Sequence, residues 1–355
     1  MSRFLAERYG KLSPYVPGEQ PQDRQYIKLN TNESPYPPAP GVARVITKGE
    51  IDDLRLYPDP EAGALTRALA DRLGLAPEEI FTGNGSDEVL GLIFMAFSGK
   101  EGVCYPAVSY SFYPVFCALC GVEGREIPMR EGLRFSLEDC PAGNSPVVFP
   151  NPNAPTGIPL PRQEIRAFLE QNPHRLVVVD EAYVDFGAES CVPLVKEFSN
   201  LLVVQTFSKS RCLAGARLGF AAGCRELIAD LMKVKFSFNS YTNSRLSLLA
   251  GLASLEDEEY FQRCVSAIVR ERERTAVRLE EKGFQVLPSK ANFLFARTPK
   301  VPGGDLYRKL RERGILVRHF SQPAIDDWVR ITIGTPEQMD ALDRQLDEIL
   351  KEAAE

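Results

Sequence analysis

Three short runs, Pro146-Val-Val-Phe149, Leu176-Val-Val-Val179 and Leu201-Leu-Val-Val204, are apolar at every position rather than at alternate ones. A strand with one wet face alternates, so a strand with no polar face has to be covered on both sides. Such runs, separated by helix-length segments, predict a parallel sheet packed between helices. Upstream the same alternation holds, with a helix over Ala64–Leu73, a short strand at Ile80–Thr82 and an apolar helix from about Asp87, so the fold class is α/β. The first forty residues cannot join the pattern, because Pro14, Pro17, Pro21, Pro35, Pro37, Pro38 and Pro40 deny any long helix; they read as an extended arm. After Gly251 comes a long helix with apolar positions at Phe261, Cys264, Val265, Ile268, Val269 and Ala276. Its Arg/Glu run at 270–274 reads as a solvated face. Val286, Phe293-Leu-Phe295, Ile315-Leu-Val317 and the stretch Val329–Ile333 then suggest a smaller α+β unit. A chain of 355 residues exceeds one ordinary core. The expected division is an arm (1–40), a large domain (41–250) and a small C-terminal domain (251–355).

Composition narrows the partners. A net charge of −6 offers no basic footprint for nucleic acid or an anionic membrane, and no stretch of about 18 uncharged apolar residues exists to span one. Small-molecule substrates are favoured. No apolar segment of signal-peptide length stands near Met1, so a cytoplasmic enzyme is expected. Eight cysteines lie mostly in apolar surroundings and read as reduced core thiols. Cys117 and Cys120 form a CxxC, but no second ligand pair follows, and with only His174 and His319 a histidine metal site lacks ligands. No metal is expected.

Chemistry collects where the buried strands end, as ligands do in open parallel sheets. One strand runs out at Asp180, in Asp180-Glu-Ala-Tyr183, where a carboxylate is either a ligand or a helix cap. The next ends in Thr206-Phe-Ser208-Lys209, with Arg217 eight residues beyond Lys209 in a Gly/Ala-rich loop. An amine flanked by hydroxyls and a guanidinium suits an anionic ligand that also carries an aldehyde. A third strand leads through Gly83-Asn-Gly85 into Ser86-Asp87-Glu88, a helix start able to bind phosphate through backbone N–H groups. It matches neither GxGxxG nor the P-loop, which disfavours a nicotinamide dehydrogenase or a nucleoside triphosphatase.

These segments, together with Pro-Asn-Ala-Pro-Thr-Gly at 152–157 and Ala-Gly-Ala-Arg-Leu-Gly at 214–219, resemble the fold-type-I aminotransferases. Lys28-Leu-Asn-Thr-Asn-Glu-Ser-Pro35, Leu56-Tyr-Pro-Asp-Pro60, Ser109-Tyr-Ser-Phe-Tyr-Pro114 and Val329-Arg-Ile-Thr-Ile-Gly-Thr335 are similar to the histidinol-phosphate branch of that fold type, over roughly residues 12–345. The resemblance implies a large, mostly parallel-sheet cofactor domain and pyridoxal 5'-phosphate as cofactor. It gives Lys209 the Schiff base with the cofactor aldehyde and the proton transfer, Asp180 the ring nitrogen, and Tyr183 the phenolic oxygen. Arg217, Thr206, Ser208 and the backbone at Gly85, Ser86 and Asp87 would meet the phosphate, with Tyr110 against the ring. Tyr57 would reach the phosphate of a neighbouring subunit, which implies a homodimer with shared sites. One departure stands out. Relatives carry an asparagine directly before Pro-Thr-Gly as a partner of the phenolic oxygen; here Ala154 occupies that position, and Asn153, one residue earlier, is expected to take over.

By the same resemblance Arg330 and Arg318 would bind the anionic ends of the substrates, with Tyr15 on the substrate phosphate and Asn32 at the entrance. The reaction implied exchanges an amino group between L-histidinol phosphate and 2-oxoglutarate, in histidine biosynthesis. An aromatic amino-acid aminotransferase or a threonine-phosphate decarboxylase is the alternative within the subfamily, and a non-catalytic regulator built on the same domain is the remote one.

Overall fold

The valine-rich runs form the centre of a seven-stranded sheet in the computed structural model, which describes residues 2–10 and 12–353. In chain order the strands are β1 (Ile27–Lys28), β2 (Ile80–Gly83), β3 (Val103–Pro106), β4 (Gly124–Ile127), β5 (Val147–Pro150), β6 (Val177–Asp180), β7 (Leu201–Thr206), β8 (Gly219–Gly223), β9 (Gln285–Val286), β10 (Phe293–Arg297), β11 (Ile315–Leu316), β12 (Arg318–His319) and β13 (Val329–Thr332). The large sheet has the order β2-β8-β7-β6-β5-β3-β4. Strands β3 to β7 are parallel neighbours, while β8 runs antiparallel to both β7 and β2.

Register explains why these strands carry no polar face. Val147 pairs with Val177 and Val177 with Leu201, so side chains of one parity line up across the sheet. Val147, Phe149, Val177, Val179, Leu201 and Val203 enter one core with Leu65, Leu69, Ile165 and Leu169 from helices. Val148, Val178, Leu202 and Val204 enter a second core with Val89, Ile93, Phe116 and Leu231. Each such side chain contributes about 1.5–3 kcal/mol on burial, so a charge at Val178 would break the layer.

The composition of β8 hid it. Gly219-Phe-Ala-Ala-Gly223 reads as a small-residue loop, yet all five residues are buried in the sheet. A Cβ on Gly219 would stand 2.4 Å from the Ser86 nitrogen, so the strand packs its backbone against the helix Ser86–Phe97 where no side chain fits.

A third core forms under the long helix Glu258–Glu281, whose Phe261, Val265, Ile268 and Leu279 meet Phe293, Leu294, Val329 and Ile331 of the antiparallel sheet β12-β13-β10-β9. The Arg/Glu run here departs from the solvated face expected of it. Arg272 is 2% exposed and donates from Nη1 to the carbonyls of Phe186 and Ala291, both at 2.9 Å, and Glu271 is buried beside it. Position 272 follows Ile268 by four residues and so continues the inward stripe; its charge is held because carbonyls of two other segments meet it.

The arm is tied down at its end. Residues of β1 pair in parallel with β11, the Leu29 N–H donates to the Leu316 carbonyl at 2.8 Å, and the Thr332 N–H donates to the Leu29 carbonyl at 3.0 Å. The chain is thereby led past β11 and β13, delivering Thr31 and Asn32 to Lys209 and Tyr183 at the carboxyl ends of the large sheet. Among the described residues no helix is long and apolar enough to cross a membrane.

Candidate active site

Strand β6 ends at Asp180, which is 4% exposed. Its Oδ2 accepts from the Tyr113 hydroxyl at 3.0 Å and its Oδ1 from the Ala182 N–H at 3.2 Å. Burial pushes its pKa up to about 6, with these two hydrogen bonds pulling the other way. The neighbouring strand β7 ends at Thr206, and the turn after it carries Lys209. The Lys209 amine donates to the Thr31 carbonyl at 3.4 Å. Desolvation, then the positive field of Arg330, lowers its pKa to about 8. An uncharged fraction far above that of an ordinary lysine near neutral pH makes it a nucleophile.

Both residues line one cavity of about 500 Å³, together with Ser86, Asp87, Tyr110, Tyr183, Thr206, Ser208, Arg217, Tyr15, Asn32, Arg318 and Arg330. At one end the Gly83-Asn-Gly85 turn starts the helix Ser86–Phe97. Gly85 at its N-cap has φ +84° and supplies no capping side chain, so the first N–H groups keep no side-chain partner. A Cβ on Gly85 would meet the Arg217 Nη2 at 2.7 Å. That guanidinium pairs with Asp87 at 3.1 Å, and the Tyr110 hydroxyl donates to the other Asp87 oxygen at 2.7 Å. Beside them Thr206 donates to the Ser208 hydroxyl at 3.0 Å. An uncapped helix start, a guanidinium and two hydroxyls form a cradle for a small dianion.

At the opposite end the arm and the small sheet contribute. Arg318 and Arg330 are direct partners on β12 and β13, a like-charge pairing that is unfavourable without an anion between the side chains. Arg330 donates from Nη2 to the Asn30 carbonyl at 3.1 Å, stands over the Phe293 and Phe320 rings, and has a buried Nε with no partner among the described residues. Burial lowers its pKa. Arg318 is half-buried and donates to the carbonyls of Val16 and Pro17. Tyr15 stacks on Phe112 at 4.7 Å between ring centroids. The Tyr183 hydroxyl accepts from the Asn32 amide at 2.9 Å; burial raises its pKa, opposed by Arg330 and by this bond.

Three expected residues do not line this cavity, Asn153 against expectation and Gly85 and Tyr57 in keeping with a backbone role and a role toward a neighbouring subunit. Asn153 is buried, but its amide nitrogen is committed to the Val108 carbonyl and the Thr156 hydroxyl, both at 3.0 Å, and Ala154 lines the cavity instead. Gly85 shapes the turn without lining the space. Tyr57 is 79% exposed and stacks on Tyr241 at 4.5 Å, away from the cavity. Sequence reasoning did not single out Tyr113, although a tyrosine in the apolar run Tyr113-Pro-Val-Phe-Cys-Ala-Leu-Cys120 signals a buried hydroxyl in need of a partner.

The donor set fits pyridoxal phosphate on three separate counts: an amine held near neutrality for the aldehyde, a buried acid lacking a bonded cation for the ring nitrogen, and the dianion cradle for the phosphate. The description of the family aminotransferase class I and II matches residues 24–346. The chain is 52% identical over 352 residues to the histidinol-phosphate aminotransferase of Chromohalobacter salexigens, covering 99% of this chain and 100% of that one. It is 51% identical over 351 residues to histidinol-phosphate aminotransferase 1 of Bradyrhizobium diazoefficiens, with 99% and 100% covered. A solved histidinol-phosphate aminotransferase from Sinorhizobium meliloti, in complex with pyridoxal-5'-phosphate, superposes with a TM-score of 0.87 at 26% identity, covering 99% of this chain and 98% of that one.

Proposed function

This chain belongs to the aminotransferase class I and II family, and from that membership we infer that it is a pyridoxal-phosphate-dependent transaminase. It exchanges the amino group between L-histidinol phosphate and 2-oxoglutarate, giving imidazole-acetol phosphate and L-glutamate, in histidine biosynthesis. One observation carries the chemistry: an amine of lowered pKa, Lys209, and a buried acid, Asp180, line a single cavity.

When bound, the cofactor supplies an aldehyde for amines to condense with and a ring that withdraws electrons from the substrate Cα. In our reading Lys209 Nζ would hold that aldehyde and would carry the proton taken from the substrate Cα; a pKa near 8 lets it both accept and return it. Asp180 stays ionised opposite a ring cation, which restores the charge that burial alone disfavours. Tyr183 donates its hydroxyl proton toward the phenolic oxygen. Arg217, Thr206, Ser208 and the helix start at Ser86 and Asp87 hold the phosphate, with Tyr110 along the ring. Arg330 and Arg318 take the anionic end of either substrate, since a guanidinium fork accepts carboxylate or phosphate alike, and Tyr15 closes that end.

The division into an arm (1–40), a cofactor-binding unit (41–250) and a smaller unit (251–355) is supported by where the cores lie: two flank the large sheet and one underlies β10 and β13. A homodimer is supported by the exposed apolar side chains Ile51, Leu54, Leu56, Tyr57, Phe238 and Tyr241; Tyr57 would then serve the neighbour's phosphate. We also place the enzyme in the cytoplasm, in keeping with eight free cysteines.

The test is to load the purified protein with pyridoxal phosphate and add L-histidinol phosphate without 2-oxoglutarate. The visible absorbance should fade in one turnover and return when 2-oxoglutarate is added. Persistence of the absorbance, alongside rapid loss with phenylalanine, would move the assignment to an aromatic substrate.

A further inference from the structure

The residue at position 154 offers only a methyl group to the cavity, and the amide beside it, Asn153, is bonded away from it. Asn32 occupies the contrasting situation. It lines the cavity and is 1% exposed. Its backbone sits in the left-handed region at φ 55°, where asparagine is among the few tolerated side chains. Three bonds hold it there: its N–H donates to the Thr332 hydroxyl at 3.0 Å, that hydroxyl donates to its Oδ1 at 3.0 Å, and the Asn292 amide donates to its carbonyl at 3.0 Å.

These bonds fix the direction of everything beyond them. The Thr332 hydroxyl gives its one proton to Oδ1, and in this arrangement Nδ2 faces Tyr183. The Nδ2–H donates to the Tyr183 oxygen at 2.9 Å. With one lone pair occupied, the tyrosine keeps its own proton free for the cavity. The second Nδ2–H has no protein partner among the described residues. Two donors whose heavy atoms stand 2.9 Å apart therefore remain for the cavity that both residues line, which suits an anionic oxygen. The phosphate cradle is formed by other residues, around Arg217, which leaves the phenolic oxygen of the cofactor as the anion for this pair.

Resting on the cofactor reading above, we propose that Asn32, not Asn153, replaces the missing position-154 side chain as the second partner of the phenolic oxygen, with Thr332 and Asn292 as positioning residues. The arm thus contributes to the electronic state of the cofactor as well as to substrate entry, and a hydroxyl on β13 sets its orientation.

The experiment titrates the visible band of the cofactor-loaded protein against pH. Donors to a phenolate favour the ionised form, so removing one raises the midpoint. Asn32→Gly, which keeps the left-handed backbone, is expected to raise it by about one pH unit, a tenfold change in the proton equilibrium. Thr332→Val should raise it by less, and Ala154→Asn placed in the Asn32→Gly protein should bring it back down. An unchanged midpoint in Asn32→Gly, or a shift in Asn153→Ala of the size expected there, overturns the proposal. Should Asn32→Gly not retain cofactor, Thr332→Val decides: an upward shift supports the proposal and an unchanged midpoint overturns it. A wild-type protein that develops no visible band with pyridoxal phosphate would instead remove the cofactor reading, and this proposal with it.

Discussion

The two ends of the cavity are built on different plans. At the cofactor end each group sits where a strand or helix of the large sheet begins or ends: Asp180 closes β6, Lys209 follows β7, and Ser86 opens a helix. Asp180 and Arg217 find their partners beside the same sheet, in Tyr113 and Asp87, while the Lys209 amine reaches the Thr31 carbonyl of the arm. At the substrate end the partners are far apart in the chain: Arg330 donates to the Asn30 carbonyl and Thr332 to Asn32, each across 300 positions. The first end is a rigid seat made by one sheet. The second is a joint between arm and small sheet, and it keeps spare donors, such as the Arg330 Nε, for ligands that come and go.

Substitutions at the rigid seat should therefore abolish chemistry, whereas those at the joint should weaken binding. The largest effect is expected for Lys209→Ala. Loss of both the covalent tether and the proton carrier should lower kcat by roughly 10⁴-fold and abolish the visible band that wild type shows with cofactor. A variant that kept a wild-type rate would break the comparison at its root.

Asp180→Asn is expected to lower kcat by about 10²–10³-fold, the order seen when a fixed electrostatic partner is removed. Stability of the cofactor-free protein should move the other way. The folded carboxyl titrates at about 6 against 3.8 for an unperturbed aspartate, so between those values the folded state holds a proton that the unfolded chain has released. Stability conferred through this group is accordingly full below about pH 4, falls as pH rises through that window, and is lost above 6. The asparagine variant escapes this loss and should unfold about 1–3 kcal/mol later at pH 7–8, with the advantage vanishing near pH 4. Denaturant melts at the two pH values check it, and added cofactor should favour wild type.

The same contrast explains what could be read from the sequence. The cofactor end was legible because its residues cluster in contiguous motifs at the ends of runs whose unbroken apolarity marks a doubly covered strand; Lys209, Asp180 and Arg217 announce themselves by position. The joint was only partly legible. Arg330 inside an apolar strand pattern is conspicuous, but nothing local says that Asn32 meets Tyr183 and Thr332 rather than the substrate entrance. Arg272 went astray for a related reason: within a charged run its periodicity points inward, and the carbonyls of Phe186 and Ala291 that receive it belong to distant segments. Likewise β8 escaped notice, since glycine and alanine are poor strand formers chosen there for close backbone contact.

At the joint, Arg330→Lys should lower kcat/KM by about 10–100-fold for both amino partners, because a lysine loses the planar fork worth about 1.5–3 kcal/mol to an anion. Most of the loss should fall on KM. An equal fall in kcat with KM unchanged would show that this arginine acts in the chemical step and would merge the two ends into one.

Arg318 sharpens the distinction within the joint itself. It stands directly across from Arg330, yet it is half-buried and its donors already serve the Val16 and Pro17 carbonyls of the arm. A partly solvated charge in that position contributes roughly 0.2–1 kcal/mol to an ion pair, so Arg318→Lys should raise KM by no more than about 5-fold. Its second effect should be on the arm, whose backbone loses two carbonyl anchors: cleavage by a protease within residues 13–20 should quicken while kcat stays near wild type. If KM instead rose as far as in the Arg330 variant, the two guanidiniums would form one clamp of equal jaws, and the arm contacts would be incidental to how Arg318 is held.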